Sequence, residues 1–127
     1  MGSAKLTTIG QIAVTVRDLP RAIAFYRDVL GVPFLFEAPP GMAFFQAGDT
    51  RLMLGLPENE TQNFASILYF RVDDIGATYQ QLKERQVSFT HEPRLIHRGS
   101  QTDLWLAFFS DPDGNTMALM SEVARRD

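Results

Sequence analysis

The sequence predicts an α+β fold of two βαβββ modules, their strands forming a curved mixed sheet around a cavity with the helices outside. Three observations carry this. First, Val16-Arg17-Asp18-Leu19 returns 56 residues later as Val72-Asp73-Asp74-Ile75. Second, in each copy a strand pattern of period two gives way to a helical stripe, and three short strand patterns follow. Third, two copies of this length are too few and too long for a solenoid. Two such units can instead set their sheets side by side, with helices on one face.

Residues 8–16 read as the first strand, because Ile12, Val14 and Val16 alternate with Gln11, Ala13 and Thr15. Asp18 can cap the following helix by accepting backbone N–H bonds from its first turn. Pro20 falls where a missing N–H costs little. Leu19, Ile23, Tyr26 and Leu30 recur at spacings of four, three and four and make one apolar stripe. Gly31 supplies a left-handed stop, and Pro33 prevents continuation. Strands are expected at 33–37, 42–47 and 51–56, separated by Pro39-Pro40-Gly41 and by Gly48-Asp49.

Residues 57–63 are polar and acidic and read as a linker. The pattern then restarts. Residues 65–72 form a strand with Leu68, Phe70 and Val72 on one face and Ile67, Tyr69 and Arg71 on the other. Asp74 caps a helix whose apolar positions are Ile75, Tyr79 and Leu82. A short strand at 87–90, an irregular stretch at 91–102 and a strand at 103–110 follow. Asp111-Pro112-Asp113-Gly114-Asn115 is a turn, since proline fixes φ and glycine accepts a positive one. Residues 116–121 make the last strand. The whole reads as a single domain of 127 residues, built of modules 8–57 and 64–122.

Composition removes several functions. There is no cysteine, so disulfides, thiolate metal sites and cysteine nucleophiles are excluded. The net charge is −3, and neither half of the chain is basic, which argues against nucleic-acid binding. No apolar run approaches the ~20 residues of a membrane helix, and the N-terminal residues lack the apolar core of a secretion signal. The expected location is the cytoplasm.

Three stretches carry a family resemblance. They are Ile12-Ala13-Val14-Thr15-Val16-Arg17-Asp18-Leu19 with Ala22, Phe25, Tyr26, Val29, Leu30 and Gly31 behind it, then Leu68-Tyr69-Phe70-Arg71-Val72-Asp73-Asp74-Ile75, and Phe108-Phe109-Ser110-Asp111-Pro112-Asp113-Gly114-Asn115. In this order they resemble the vicinal oxygen chelate superfamily of glyoxalase I, bleomycin-resistance proteins and extradiol dioxygenases. The resemblance implies a U-shaped cavity. In metal-dependent members it implies one divalent cation, bound from the first and last strand of each module. The corresponding positions here are Gln11, Met53, Ile67 and Ala118.

Only Gln11 offers a donor, where His or Glu is usual in the family. A catalytic divalent metal needs about three protein ligands drawn from His and carboxylates. A register slip of two residues would preserve the face but bring in Ile9 or Ala13, Arg51 or Gly55, Ala65 or Tyr69, and Thr116 or Met120. None is His, Asp or Glu, so the expectation is no metal and no other cofactor.

The candidate ligand-cavity residues are therefore Gln11, Thr15, Met53, Ile67, Tyr69, Trp105, Ala118 and Met120. Arg71 could hold a carboxylate bidentately, and His97 could act as a base at the cavity mouth. No catalytic residue is assigned. His91-Glu92 lacks the spacing of a zinc protease motif, and Asp111, Asp113 and Asn115 lack the closing Glu of a calcium loop. Of the tandem phenylalanines 44–45 and 108–109, alternation sends one of each pair to each face.

The expected function is glyoxalase/bleomycin-resistance-like binding of a small, largely apolar organic molecule without the family's usual metal. The alternative is a lyase, isomerase or dioxygenase of the same superfamily. The expected assembly is a homodimer.

Overall fold

The computed structural model describes residues 4–62 and 66–125. The chain falls into two compact units, residues 1–65 and 66–127. The first strand, β1 (Gln11–Thr15), leads to α1 (Leu19–Ala24), and β2 (Phe34–Ala38), β3 (Met42–Ala47) and β4 (Thr50–Gly55) follow. In the second unit, β5 (Leu68–Arg71) leads to α2 (Ile75–Glu84), then β6 (Ser88–Phe89), β7 (Arg94–Arg98), β8 (Thr102–Ser110) and β9 (Thr116–Ala124). The hydrogen bonding forms two mixed sheets, one in each unit. Their orders are β1-β4-β3-β2 and β5-β9-β8-β6, with β7 also on β8. In both, the first strand lies parallel to the last, and the remaining pairings are antiparallel.

The repeat seen in sequence is a repeat of backbone geometry. Asp18 has φ −135° and ψ 96°, and its carboxylate accepts the Arg21 N–H at 3.1 Å. Asp74 has φ −123° and ψ 95° and accepts the Ala77 N–H at 3.0 Å. Each carboxylate satisfies an N–H that the first helical turn would otherwise leave unpaired. Each thereby fixes the angle at which the chain leaves the strand.

Both helices bury an apolar stripe on one face of their own sheet. In the first unit, Val14, Ala43, Phe45 and Leu54 are fully buried together with Tyr26, whose ring centroid lies 6.0 Å from that of Phe45. In the second unit, Tyr79 of α2 meets Phe89 at 4.6 Å, and Phe89 meets Phe109 at 5.4 Å. Complete burial of an aromatic side chain such as Phe45 contributes roughly 1.5–3 kcal/mol.

Several expectations change. The first helix does not stay α-helical to Leu30. Phe25–Val29 is a π-turn closed by the Leu30 N–H on the Phe25 carbonyl at 2.9 Å, and Gly31 then stops it at φ +77°. The stretch expected to be irregular contains β7, an edge strand with a bulge between Leu95 and His97. All five residues of β7 are exposed, so no buried face imposes alternation. The last strand runs three residues further than expected, to Ala124. The linker does form turns: Asn59 accepts the N–H groups of Thr61 and Gln62 at 3.0 and 2.9 Å. Its last residue, 63, and the start of the expected strand at 65 lie outside the described residues.

Candidate functional site

Since one face of each sheet is covered by a helix, alternation assigns the other face. In the first unit the core residues Phe45, Leu52 and Leu54 face α1 and the π-turn. Their neighbours in β4 and β3 therefore present the opposite face: Arg51, Met53 and Gly55, with Met42, Phe44 and Gln46. The pairing register completes three rows. Gln11, Arg51 and Gln46 lie side by side. The next row is Ala13, Met53, Phe44 and Phe36, and the third is Thr15, Gly55, Met42 and Ala38. Phe36 and Phe44 pack at 4.8 Å between centroids, and the Arg51 guanidinium carbon lies 5.9 and 5.6 Å from the two centroids. This stack is a cation–π arrangement on an aromatic floor. Thr15 is buried, and a methyl at Gly55 would come within 3.3 Å of the Met53 Cε.

In the second unit Phe109, Ala107, Met117 and Leu119 face α2, so Phe108, Leu106, Ala118 and Met120 take the opposite face. The rows are Tyr69, Ala118 and Phe108, then Arg71, Met120 and Leu106. Tyr69 and Phe108 meet edge to face at 6.0 Å and 74°, and His91 meets the same Phe108 ring at 5.7 Å. Ile67, just before β5, is half exposed, as is Tyr69. Arg71 Nη1 donates to Glu122 Oε1 at 2.7 Å. Any ligand carboxylate would have to compete with that glutamate for Arg71.

Gln11, Thr15 and Met53 thus share the helix-free face of the first unit. Tyr69, Arg71, Ala118 and Met120 share that of the second, and Ile67 keeps their parity. The bulge in β7 pairs the exposed His97 with Leu104, in register with Leu106 and Phe108. Trp105 requires correction. It pairs with Ser121 and shares the parity of Ala107 and Phe109, which puts it on the face toward α2. The residues not singled out from sequence are Arg51, Phe36 and His91. Phe36 and Arg51 become visible only through cross-strand register, and His91 only through its ring contact. Alternation sends one phenylalanine of each tandem pair to each face, and burial with the pairing register identifies Phe44 and Phe108 as those on the helix-free faces.

The register also locates the four positions that the family resemblance implies for a metal. Gln11 is two residues before Ala13, which pairs with Met53. Ile67 is two residues before Tyr69, which pairs with Ala118. The two units therefore place these positions equivalently in their own registers. In the first unit these positions hold an amide and a thioether and in the second a sec-butyl group and a methyl, so neither unit offers a histidine or carboxylate there to a divalent ion. Among the described residues no group of three or more His, Asp or Glu side chains lies close enough to hold one elsewhere.

The first unit is βαβββ as expected, whereas the second has one strand more, β7, and is βαββββ. With their first strand beside their last and one helix-free face each, the two units define a duplicated α+β module protein. The chain belongs to the Glyoxalase/Bleomycin resistance protein/Dioxygenase superfamily, whose family model matches residues 8–119. Among its relatives, the metallothiol transferase FosB of Staphylococcus epidermidis is 30% identical over 122 residues, covering 91% of this chain and 82% of its own. A superfamily member from Sphaerobacter thermophilus superposes with a TM-score of 0.77 at 27% identity, covering 92% of this chain and 98% of that one. The fold is also that of a lactoylglutathione lyase from Agrobacterium tumefaciens, with a TM-score of 0.74 at 22% identity over 91% and 93% of the two chains. Among the described residues no helix is long and apolar enough to cross a membrane.

Proposed function

We infer that this chain is a glyoxalase/bleomycin-resistance-like protein that binds a small, largely apolar organic molecule without the divalent metal used by metal-dependent relatives. The observation that supports this most is the residue set Gln11, Met53, Ile67 and Ala118 at four equivalent register positions. Around them the helix-free faces carry phenylalanine, tyrosine and methionine with a few polar groups. Such a lining suits an apolar ligand oriented by a small number of hydrogen bonds. Tyr69 contributes a half-exposed phenol, and Gln11 an exposed amide.

Calorimetric titration with a panel of aromatic drugs and metabolites, with and without prior chelation, tests the reading. It predicts at least one saturable ligand whose affinity is unchanged by chelator. A panel that binds only after a divalent metal is added would overturn it.

The similarity to a metallothiol transferase favours a second reading, a lyase, isomerase or oxygenase acting on a small metabolite. Turnover of a ligand found in the titration, rather than its simple retention, separates the two. A homodimer belongs to the same proposal, supported by the exposed Leu35 on edge strand β2 and Leu95 and Ile96 on β7. A cytoplasmic location is included as well, in keeping with a chain that has no disulfide to form.

A further inference from the structure

The first unit contains a charged group that an apolar ligand alone does not explain. Arg51 is an exposed cation in the end row of the helix-free face, with Gln11 beside it on β1 and Gln46 beside it on β3. Among the described residues its closest defined partners are the rings of Phe36 and Phe44, and it makes none of the ion pairs formed by Arg27, Arg71 and Arg125. The guanidinium carbon lies over the two rings at 5.9 and 5.6 Å, a contact with π faces that supplies no hydrogen-bond acceptor in the guanidinium plane. Its N–H donors lie in the guanidinium plane, and an acceptor in that plane is what a carboxylate supplies bidentately.

The flanking amides fit the same acceptor. Gln46 donates one Nε2–H to the Gly48 carbonyl at 2.7 Å, which fixes the amide and leaves its second N–H. The adjoining row, Ala13 and Met53, is apolar and only partly buried.

We propose that Arg51, with Gln11 and Gln46, is the anchor for an organic carboxylate whose aromatic or branched apolar body lies along Ala13 and Met53. This rests on the ligand-binding reading above and names its chemical class. The charge of Arg51 selects for an anion, and the stacked rings hold the guanidinium in place before the ligand arrives. Ordering a long side chain in advance lowers the entropy lost on binding. The ligand is thus an aryl or branched-alkyl monocarboxylate rather than a neutral or cationic molecule.

The test compares 2-naphthoate with its neutral isostere 2-naphthamide, by calorimetry on the full chain at low and at high salt. Naphthoate is expected to bind at least about tenfold more tightly than the amide, and an Arg51→Gln variant to bring the acid down to the affinity of the amide. Arg51→Lys keeps the charge but loses the planar fork, and should recover only part of the preference. Since Arg51 is exposed, both variants are expected to melt as the native chain does. Equal binding of acid and amide would overturn the anion anchor while leaving the apolar-ligand reading standing. Acid preference that persists in Arg51→Gln would overturn the assignment to Arg51. Failure of both probes to bind would overturn the proposed ligand class, and the broader panel would then decide whether any organic ligand binds.

Discussion

Tyr69 and Phe108 meet edge to face across Ala118, with ring centroids 6.0 Å apart at 74°. Ala118 pairs with Tyr69 on one side and Phe108 on the other, and it is fully buried. A single methyl lets the two rings close over the strand between them. A glutamate or histidine at this position, the ligand type that the family resemblance implies, would have to pass between them. The contact and a metal ligand are therefore alternatives, and this chain has the contact.

An Ala118→Glu variant should accordingly be destabilised and should not regain stability with added metal. The new carboxylate would enter a site with no exposure, separate the two rings and lack the histidines that complete a metal site. Thermal melting with and without zinc or manganese checks this. A melting temperature restored by either ion would mean that further ligands converge on residue 118.

The tandem phenylalanines of β8 should separate folding from binding. Phe109 is 1% exposed on the face toward α2, whereas Phe108 is partly exposed on the helix-free face. Phe109→Ala is expected to cost about 3–5 kcal/mol of stability. Phe108→Ala should cost clearly less and weaken ligand binding. Urea unfolding and calorimetry on the same two proteins provide both comparisons.

The matched caps predict matched losses. Asp18→Ala and Asp74→Ala should each lower stability by about 1 kcal/mol, since each removes one bond to a first-turn N–H. Replacement by Asn or Ser should restore most of it. Chemical denaturation of the single variants is sufficient, because the two sites share no partner.

Gly99 closes the turn between β7 and β8, where its N–H donates to the Thr102 carbonyl at 2.8 Å. A methyl at this residue would sit 2.6 Å from the same oxygen, which is backbone and cannot swing aside. Gly99→Ala should cost about 1–3 kcal/mol. Hydrogen exchange should show the loss of protection concentrated in β7 and β8.

The readable parts of this fold were those where local chemistry and tertiary structure agree. The Asp18 and Asp74 caps, the Gly31 stop and the strand alternation each act within a few residues, so the sequence displays them directly. β7 was hidden for the opposite reason. Leu95 and Ile96 are adjacent rather than alternating, because the bulge inserts a residue and the edge has no buried face.

The helix-free faces were half legible. Parity gave Tyr69 and Arg71, and the family resemblance gave Gln11, Met53, Ile67 and Ala118. Parity also would have placed Trp105 with Ala107 and Phe109, had its size not argued for a ligand wall. Arg51 could not be assigned, since its significance lies in Phe36 and Phe44 on two other strands, and register across strands is not written in any one of them.

The measurement that tests the central claim most directly is the divalent metal content of the purified protein, by elemental analysis after dialysis against metal-free buffer. The account predicts no stoichiometric zinc, nickel, manganese or iron, because Gln11, Met53, Ile67 and Ala118 stand where a metal-binding chain needs histidine and carboxylate. A stoichiometric divalent ion that survives dialysis would contradict it.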